Sequence, residues 1–111
     1  MKWDEISNIV LGTGEDNPRR LFEEGEKFFK AGLNISSGRD ALELFTKAAA
    51  CFTEAIEWFE KNVPKPAESI YKLIYANLYI YRGFVYYRVG NGKEAAKDLK
   101  KVIEVLEFRK S

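Results

Sequence analysis

Apolar residues along most of this chain recur every three or four positions, which is the period of one face of an α-helix. Breaks rich in Gly, Pro, Ser or Asn separate the periodic stretches, around residues 32–38, 62–66 and 90–92. The pattern predicts four main helices, over residues 18–31, 39–61, 66–89 and 93–108. No stretch alternates as a strand would, so the prediction is an all-α antiparallel bundle or array.

The second predicted helix carries the most regular apolar seam. Its apolar positions keep one side of the helix towards its neighbours; they are Ala41, Phe45, Ala48, Phe52, Ala55 and Phe59. Small and large residues alternate along this seam, as interdigitating side-chain layers require. Ser37 and Asp40 before it resemble a capping box.

The third predicted helix is apolar on almost every side, so we expect other helices around it. At about 1.5 Å per residue, the second and third helices are each roughly 35 Å long and the outer two roughly 20–25 Å. The central hairpin is therefore expected to project beyond its neighbours. Apolar residues at its tip, such as Trp58 and Ile74, then need cover from the N-terminal segment or from a partner.

The fourth predicted helix divides into an apolar and a basic side. Its apolar residues are expected to face inward; they are Ala95, Ala96, Leu99, Val102, Ile103 and Leu106. A polar stretch near Gly12 and Gly14 divides the chain into an N-terminal segment, residues 1–16, and a helical domain, residues 17–111. Residues 3–11 are compatible with a short extra helix that caps the domain.

The two halves of the domain share one spacing of large, small and aromatic residues. The second half has Tyr79, Gly83, Tyr86, Gly90, Ala95, Leu99 and Val102, and the first half has Leu21, Gly25, Phe28, Gly32, Ala48, Phe52 and Ala55. This pattern resembles two degenerate copies of the tetratricopeptide repeat, a helix–turn–helix unit. Arg82 and Val102 depart from the family pattern, and the first half has about eleven extra residues before Ala48.

The resemblance implies a groove, lined by the first helix of each repeat, that binds extended or helical peptides. The positions that would line it are Phe22, Glu26, Phe29, Asn77, Ile80, Phe84, Tyr87 and Arg88. The family's clamp for acidic tails requires Lys and Asn where this chain has Phe22 and Glu26, so an apolar or aromatic anchor is expected instead. The alternative is that the aromatic positions belong to the core, under the N-terminal segment.

Composition argues against an enzyme. The chain has no His and one Cys, which removes His-based triads, His-ligated metals and an internal disulfide. A net charge of +1 gives no reason to expect a polyanionic partner. We therefore expect no catalytic, cofactor-binding or metal-binding residues.

Two alternatives to a protein-binding module remain open. The first is nucleic-acid association through a basic side of the last helix, formed by Lys93, Lys97, Lys100 and Lys101. Glu104 shares that side, which favours a solvated surface. The second is a helical-bundle nuclease of the prokaryotic HEPN type, whose motif ends in a His that this chain lacks.

The main functional prediction is a non-enzymatic interaction or scaffold module of tetratricopeptide-like type. Its partner is a peptide, a helix or a second copy in a homodimer; nucleic acid is disfavoured, and no membrane segment is expected. Without a secretion signal, the expected location is the cytoplasm. The abundance of Glu and Lys with no Gln fits a thermophilic source. Arg82 is expected to pack between Tyr79 and Tyr86 with its guanidinium reaching solvent.

Overall fold

The computed structural model describes residues 18–35, 37–62 and 69–106, and 92% of these residues are helical. The helices are α1 (Pro18–Leu33), α2 (Gly38–Asn62), α3 (Ser69–Arg88) and α4 (Gly92–Leu106). The described residues contain no strand, so the prediction of an all-α bundle is confirmed. The N-terminal segment 1–16 and the extra helix predicted over residues 3–11 lie outside the described residues.

Helices that follow one another in the chain pack side by side: α1 on α2, α2 on α3, and α3 on α4. Gly25 of α1 faces Phe52 of α2, whereas Gly32 faces Phe45. This reversed order shows that α1 and α2 run antiparallel. Helix α2 is the longest, with 25 residues against 16 in α1 and 15 in α4, so part of it extends past its neighbours.

The predicted seam of α2 forms the centre of the core. Five of its six residues are buried, namely Phe45, Ala48, Phe52, Ala55 and Phe59, together with Ile56; Ala41 is half-buried. Phe52 meets Phe22 of α1 at a ring-centroid distance of 5.8 Å and Tyr81 of α3 at 5.6 Å. Phe22 and Tyr81 meet edge-to-face at 4.8 Å. One aromatic cluster thus joins the first three helices.

The glycines of the repeat pattern allow helices to approach closely. At Gly25 and Gly32 a ring of α2 fills the space of the missing side chain, whereas at Gly83 the space is not filled. A Cβ atom on Gly25 would lie 2.7 Å from the Phe52 ring, and one on Gly32 would lie 2.7 Å from the Phe45 ring. Both distances are too short for a real contact, so each ring occupies the space that a side chain on α1 would need. A Cβ on Gly83 of α3 would lie 3.4 Å from the Asp98 Cβ, an ordinary contact.

Local backbone chemistry sets where two helices begin and one ends. Gly90 has φ 82°, and the hydrogen bonds from Asn91 N to Tyr86 O (2.8 Å) and from Gly90 N to Tyr87 O (3.1 Å) end α3 in a Schellman turn. The Asn91 side chain then accepts a hydrogen bond from Glu94 N at 3.3 Å and caps α4. Ser37 Oγ accepts from Asp40 N at 3.4 Å at the start of α2, as the capping box predicts.

Apolar residues expected at the projecting tip pack into the hydrophobic core or against it, and the cover predicted from residues 1–16 lies outside the described residues. Phe59 and Ile74 are buried, and Phe59 stacks on Tyr75 with ring centroids 5.9 Å apart. Trp58 is half-buried and meets Phe59 edge-on at 5.6 Å. Among the described helices, none combines the length and the apolar character needed to cross a membrane.

One matched pair of variants tests the two kinds of close approach. Both Gly25→Ala and Gly83→Ala gain up to about 1 kcal/mol of helix propensity. At Gly83 the new methyl group meets only an ordinary contact, so we expect the free energy of unfolding to stay level or rise. At Gly25 the methyl group overlaps the Phe52 ring, so we expect a loss of about 1–3 kcal/mol. Urea denaturation followed by circular dichroism measures both values.

A third variant, Gly83→Leu, adds a branched side chain whose Cγ and Cδ atoms would overlap Asp98 and Leu99. We expect it to lower the free energy of unfolding by at least about 2 kcal/mol. An unchanged melting temperature for Gly83→Leu would contradict the close approach of α3 and α4 at this position.

Candidate protein-interaction surface

The third helix presents a stripe away from the core that is apolar except for one residue, Asn77. Its members recur at helical spacing on one side of α3, namely Leu73, Asn77, Ile80, Phe84 and Tyr87, and are called the α3 stripe here. Ile80 and Asn77 are half-buried, whereas Leu73, Phe84 and Tyr87 keep 53%, 57% and 71% of their surfaces exposed. Single exposed apolar residues are common, but a row of three on one helix side is a candidate contact surface.

Helix α4 continues this surface. Seven of its fifteen residues are charged, yet one side has no charge from end to end; it consists of Gly92, Ala96, Leu99 and Ile103, called the α4 stripe here. These residues are exposed, Leu99 and Ile103 by about half. The Leu99 Cδ2 atom lies 3.8 Å from the place that a Cβ atom on Gly83 would occupy. Gly83 directly precedes Phe84 in the chain. The two stripes therefore lie side by side.

This arrangement corrects the expectation for the fourth helix. Ala95 and Val102 are buried as predicted, and Leu106 is half-buried, but Ala96, Leu99 and Ile103 are exposed. The buried side of α4 instead includes Asp98. Periodicity alone could not separate the two sides, because both are apolar for most of their length.

The residues predicted to line the groove fall into two groups. Asn77, Ile80, Phe84 and Tyr87 come together in the α3 stripe. Phe22 is 2% exposed and belongs to the aromatic cluster of the core. Phe29 is half-buried, with its ring centroid 5.7 Å from that of Phe45.

The two charged groove positions, Glu26 and Arg88, each contact a side chain within the protein. Glu26 forms an ion pair with Lys30 at 3.8 Å. Burial, followed by the charge of Glu26 and a hydrogen bond to it, raises the pKa of Tyr81. Arg88 is exposed, with its guanidinium 6.0 Å from the Phe45 ring centroid. It therefore lies towards α2 at the end of α3.

Sequence reasoning missed Leu73, Leu99 and Ile103 as surface residues. The charge-free side of α4 marked Leu99 and Ile103 as residues to be covered, but it could not tell cover by the core from cover by a partner. Leu73 had no comparable signal, because α3 is apolar on nearly all sides.

A buried ion pair on the opposite side of α3 fixes how this helix is rotated. The Arg82 guanidinium donates to both Asp98 carboxylate oxygens, at 2.9 and 2.7 Å, and to Thr53 Oγ1 of α2 at 3.1 Å. It also lies over the rings of Tyr79 and Tyr86, 5.3 and 5.6 Å from their centroids. The expectation that this guanidinium reaches solvent is wrong, because the Arg82 and Asp98 side chains are only 17% and 5% exposed.

The electrostatics of this pair keep the Arg82 guanidinium charged. Burial on its own lowers the pKa of the Arg82 guanidinium, but its hydrogen bonds and charge attraction to Asp98 outweigh that effect and raise it. A bidentate Arg–carboxylate pair of this kind is directional as well as strong. It aligns α2, α3 and α4 and leaves the α3 stripe facing outward.

A second polar chain continues along the same side of α3. The Tyr75 hydroxyl donates to Glu60 Oε2 at 2.7 Å and lies 3.2 Å from the Tyr79 hydroxyl. Burial, and then the hydrogen bonds with Tyr79 and Glu60, raise the pKa of Tyr75 well above its ordinary value. Burial likewise raises the pKa of Tyr79. These phenols therefore stay neutral and act as structural hydrogen-bonding groups.

The described residues offer little to metal or nucleophilic chemistry. Among them, no group of three His, Cys, Asp or Glu side chains could hold a metal ion. Burial, followed by the charges of Glu24 and Glu54, raises the pKa of the Cys51 thiol, so the thiolate needed for attack is disfavoured. On the basic side of α4, Lys97 pairs with Glu94 at 3.2 Å, which lowers the free positive charge there.

Comparisons with protein-family models, with curated proteins and with solved structures found no match to this chain. The outward stripes of α3 and α4 are therefore interpreted from their own chemistry.

A double-mutant cycle tests the importance of the Arg82–Asp98 pair. We expect each single variant, Asp98→Leu or Arg82→Met, to lower the free energy of unfolding by about 3–5 kcal/mol, because each leaves one buried charge without its partner. The double variant Arg82→Met/Asp98→Leu removes both charges and should lose far less than the sum of the two single changes. Strictly additive losses in urea denaturation would show that the pair does not couple α3 to α4.

Alkaline unfolding tests the Tyr75 hydroxyl. Because the folded-state pKa of Tyr75 is raised above the ordinary value of 10.0, the unfolded chain loses this proton at lower pH than the folded chain. The contribution is fully present below about pH 10 and is lost as the pH rises above it. We expect guanidinium denaturation to show a steeper decline in stability above about pH 10 in the wild type than in Tyr75→Phe.

Proposed function

We propose that this protein is a non-enzymatic protein–protein interaction module of tetratricopeptide-like type, and that it binds an apolar protein segment through the α3 stripe. The observation that carries the proposal is the outward exposure of Phe84 and Tyr87 beside Leu73. Aromatic side chains supply much of the binding energy in protein interfaces. Two of them on a helix that an ion pair holds in a single rotation form a preorganised contact surface.

The packing of the helix pairs supports the tetratricopeptide-like interpretation. Gly25 and Gly83 hold the same place in the two copies of the sequence pattern, and each faces the second helix of its own pair, α2 or α4. Gly90 ends the first helix of the second pair in the left-handed conformation. The pattern and the contacts agree at these three positions.

A protein partner accounts for the surface better than a nucleic acid does. The two stripes contain no charged residue, whereas binding to a phosphate backbone depends on basic groups. The basic residues of α4 lie outside the α4 stripe, and one of them, Lys97, already pairs with Glu94. We further propose that the module acts in the cytoplasm, where a single unpaired Cys such as Cys51 is unexceptional.

Two glutamate variants test the proposal. We expect Phe84→Glu to reduce capture of the native partner from cell extract at least ~30-fold, because a charge replaces a central aromatic anchor. The matched control is Leu42→Glu, since Leu42 of α2 is 49% exposed but does not belong to either stripe. Capture is measured by affinity purification with quantitative mass spectrometry, and circular dichroism verifies that both variants fold.

Equal capture by Phe84→Glu and the wild type would contradict the role of the α3 stripe. Recovery of nucleic acid alone, lost at high salt, would favour the basic side of α4 instead.

A further inference from the structure

We propose that the occupant of this surface is a second copy of the same chain, and that two copies pair through the α3 and α4 stripes around a twofold axis. The inference rests on the proposed function and deepens it by naming the partner. It also widens the contact surface, because the peptide groove implied by the repeat resemblance involves α3 but not the α4 stripe.

The exposed area is enough for a dimer. A fully exposed large side chain presents about 200 Å², and Leu73, Phe84, Tyr87, Leu99 and Ile103 keep between 50% and 71% of their surfaces exposed. Together they offer roughly 500 Å² per chain. Two copies would bury about 1,000 Å² from these side chains alone, which is the size at which specific interfaces begin.

The shapes of the two stripes are complementary. Tyr87 and Phe84 are the largest and most exposed members of the α3 stripe. Gly92 and Ala96, the small members of the α4 stripe, lie at the same end of the helix pair, next to the Gly90 turn. A twofold axis along the helices would set α3 of one copy against α4 of the other. The aromatic rings then fill the hollow above the second copy's Gly92 and Ala96, and Leu99 and Ile103 meet Ile80.

The charges also allow self-association. The net charge of each chain is only +1, so two copies repel one another weakly at long range. No charged residue lies within either stripe, so pairing buries no unpaired charge. The charged residues of α4, such as Lys100 and Glu104, are exposed on the flank of the stripe and form a polar rim, which is the usual arrangement around an apolar interface core.

Sedimentation equilibrium of the full chain over a concentration series tests the pairing. We expect the wild type to approach twice the mass of one chain. Ile103→Glu should weaken association at least about tenfold, because it places a carboxylate in the centre of the α4 stripe. Ile103 is half exposed, so this change leaves the monomer folded, as circular dichroism would verify. Leu42→Glu is the control and should dimerise as the wild type does.

Site-directed crosslinking tests the orientation. In a Cys51→Ser background, one preparation carries Tyr87→Cys and a second carries Ala96→Cys. The proposed axis brings these positions together across the interface, so a short bismaleimide should join the two preparations into a mixed dimer. Crosslinking within each preparation alone, without the mixed product, would overturn the orientation of α3 against α4.

The outcomes separate this inference from the proposed function. A wild type that stays monomeric at all concentrations overturns the homodimer, and if Phe84→Glu still abolishes capture of another protein, the proposed function stands. A dimer that neither Ile103→Glu nor Phe84→Glu weakens uses another surface, which also overturns the inference. A monomer that captures no protein at all overturns both.

Discussion

The ion pair between Arg82 and Asp98 is the interaction on which the rest of the surface depends. Helix α3 is apolar on almost every side, so apolar packing alone would allow several rotations of this helix about its axis. The Arg82 guanidinium removes that freedom, because it reaches Asp98 of α4 and Thr53 of α2 together and both contacts are directional. Burial makes any other rotation costly, since it would leave a charged group without its partner. The outward position of Phe84 follows from the inward position of Arg82.

The first helix pair is held together by a different principle. Its helices approach closely because aromatic rings of α2 fill the space over Gly25 and Gly32. The Phe52 ring also contacts the rings of Phe22 in α1 and Tyr81 in α3, so this one ring links three helices. Packing by shape in the first pair and by charge in the second leaves one apolar side of α3 and α4 unused in folding. The unused side is the one we assign to a partner.

Its chemistry narrows the type of partner. The α3 and α4 stripes are uncharged, apolar except for Asn77, and fixed in position, which suits another apolar protein surface and gives no attraction for phosphates. The nearly neutral chain and the pairing of large with small residues at one end of the surface favour a second copy.

The sequence by itself determined the all-α class, the positions of four helices, the seam of α2, the cap at Ser37 and the small positions Gly25 and Gly83, because periodicity, turns and caps are local properties of the chain. It also identified Phe84 and Tyr87 as candidate surface residues, by resemblance. Only the tertiary structure decided that Phe22 lies in the core, that Arg82 pairs with Asp98, and that Leu99 and Ile103 face outward. Each of these depends on which side of an apolar helix meets its neighbour, and that choice is made by contacts between residues distant in the chain.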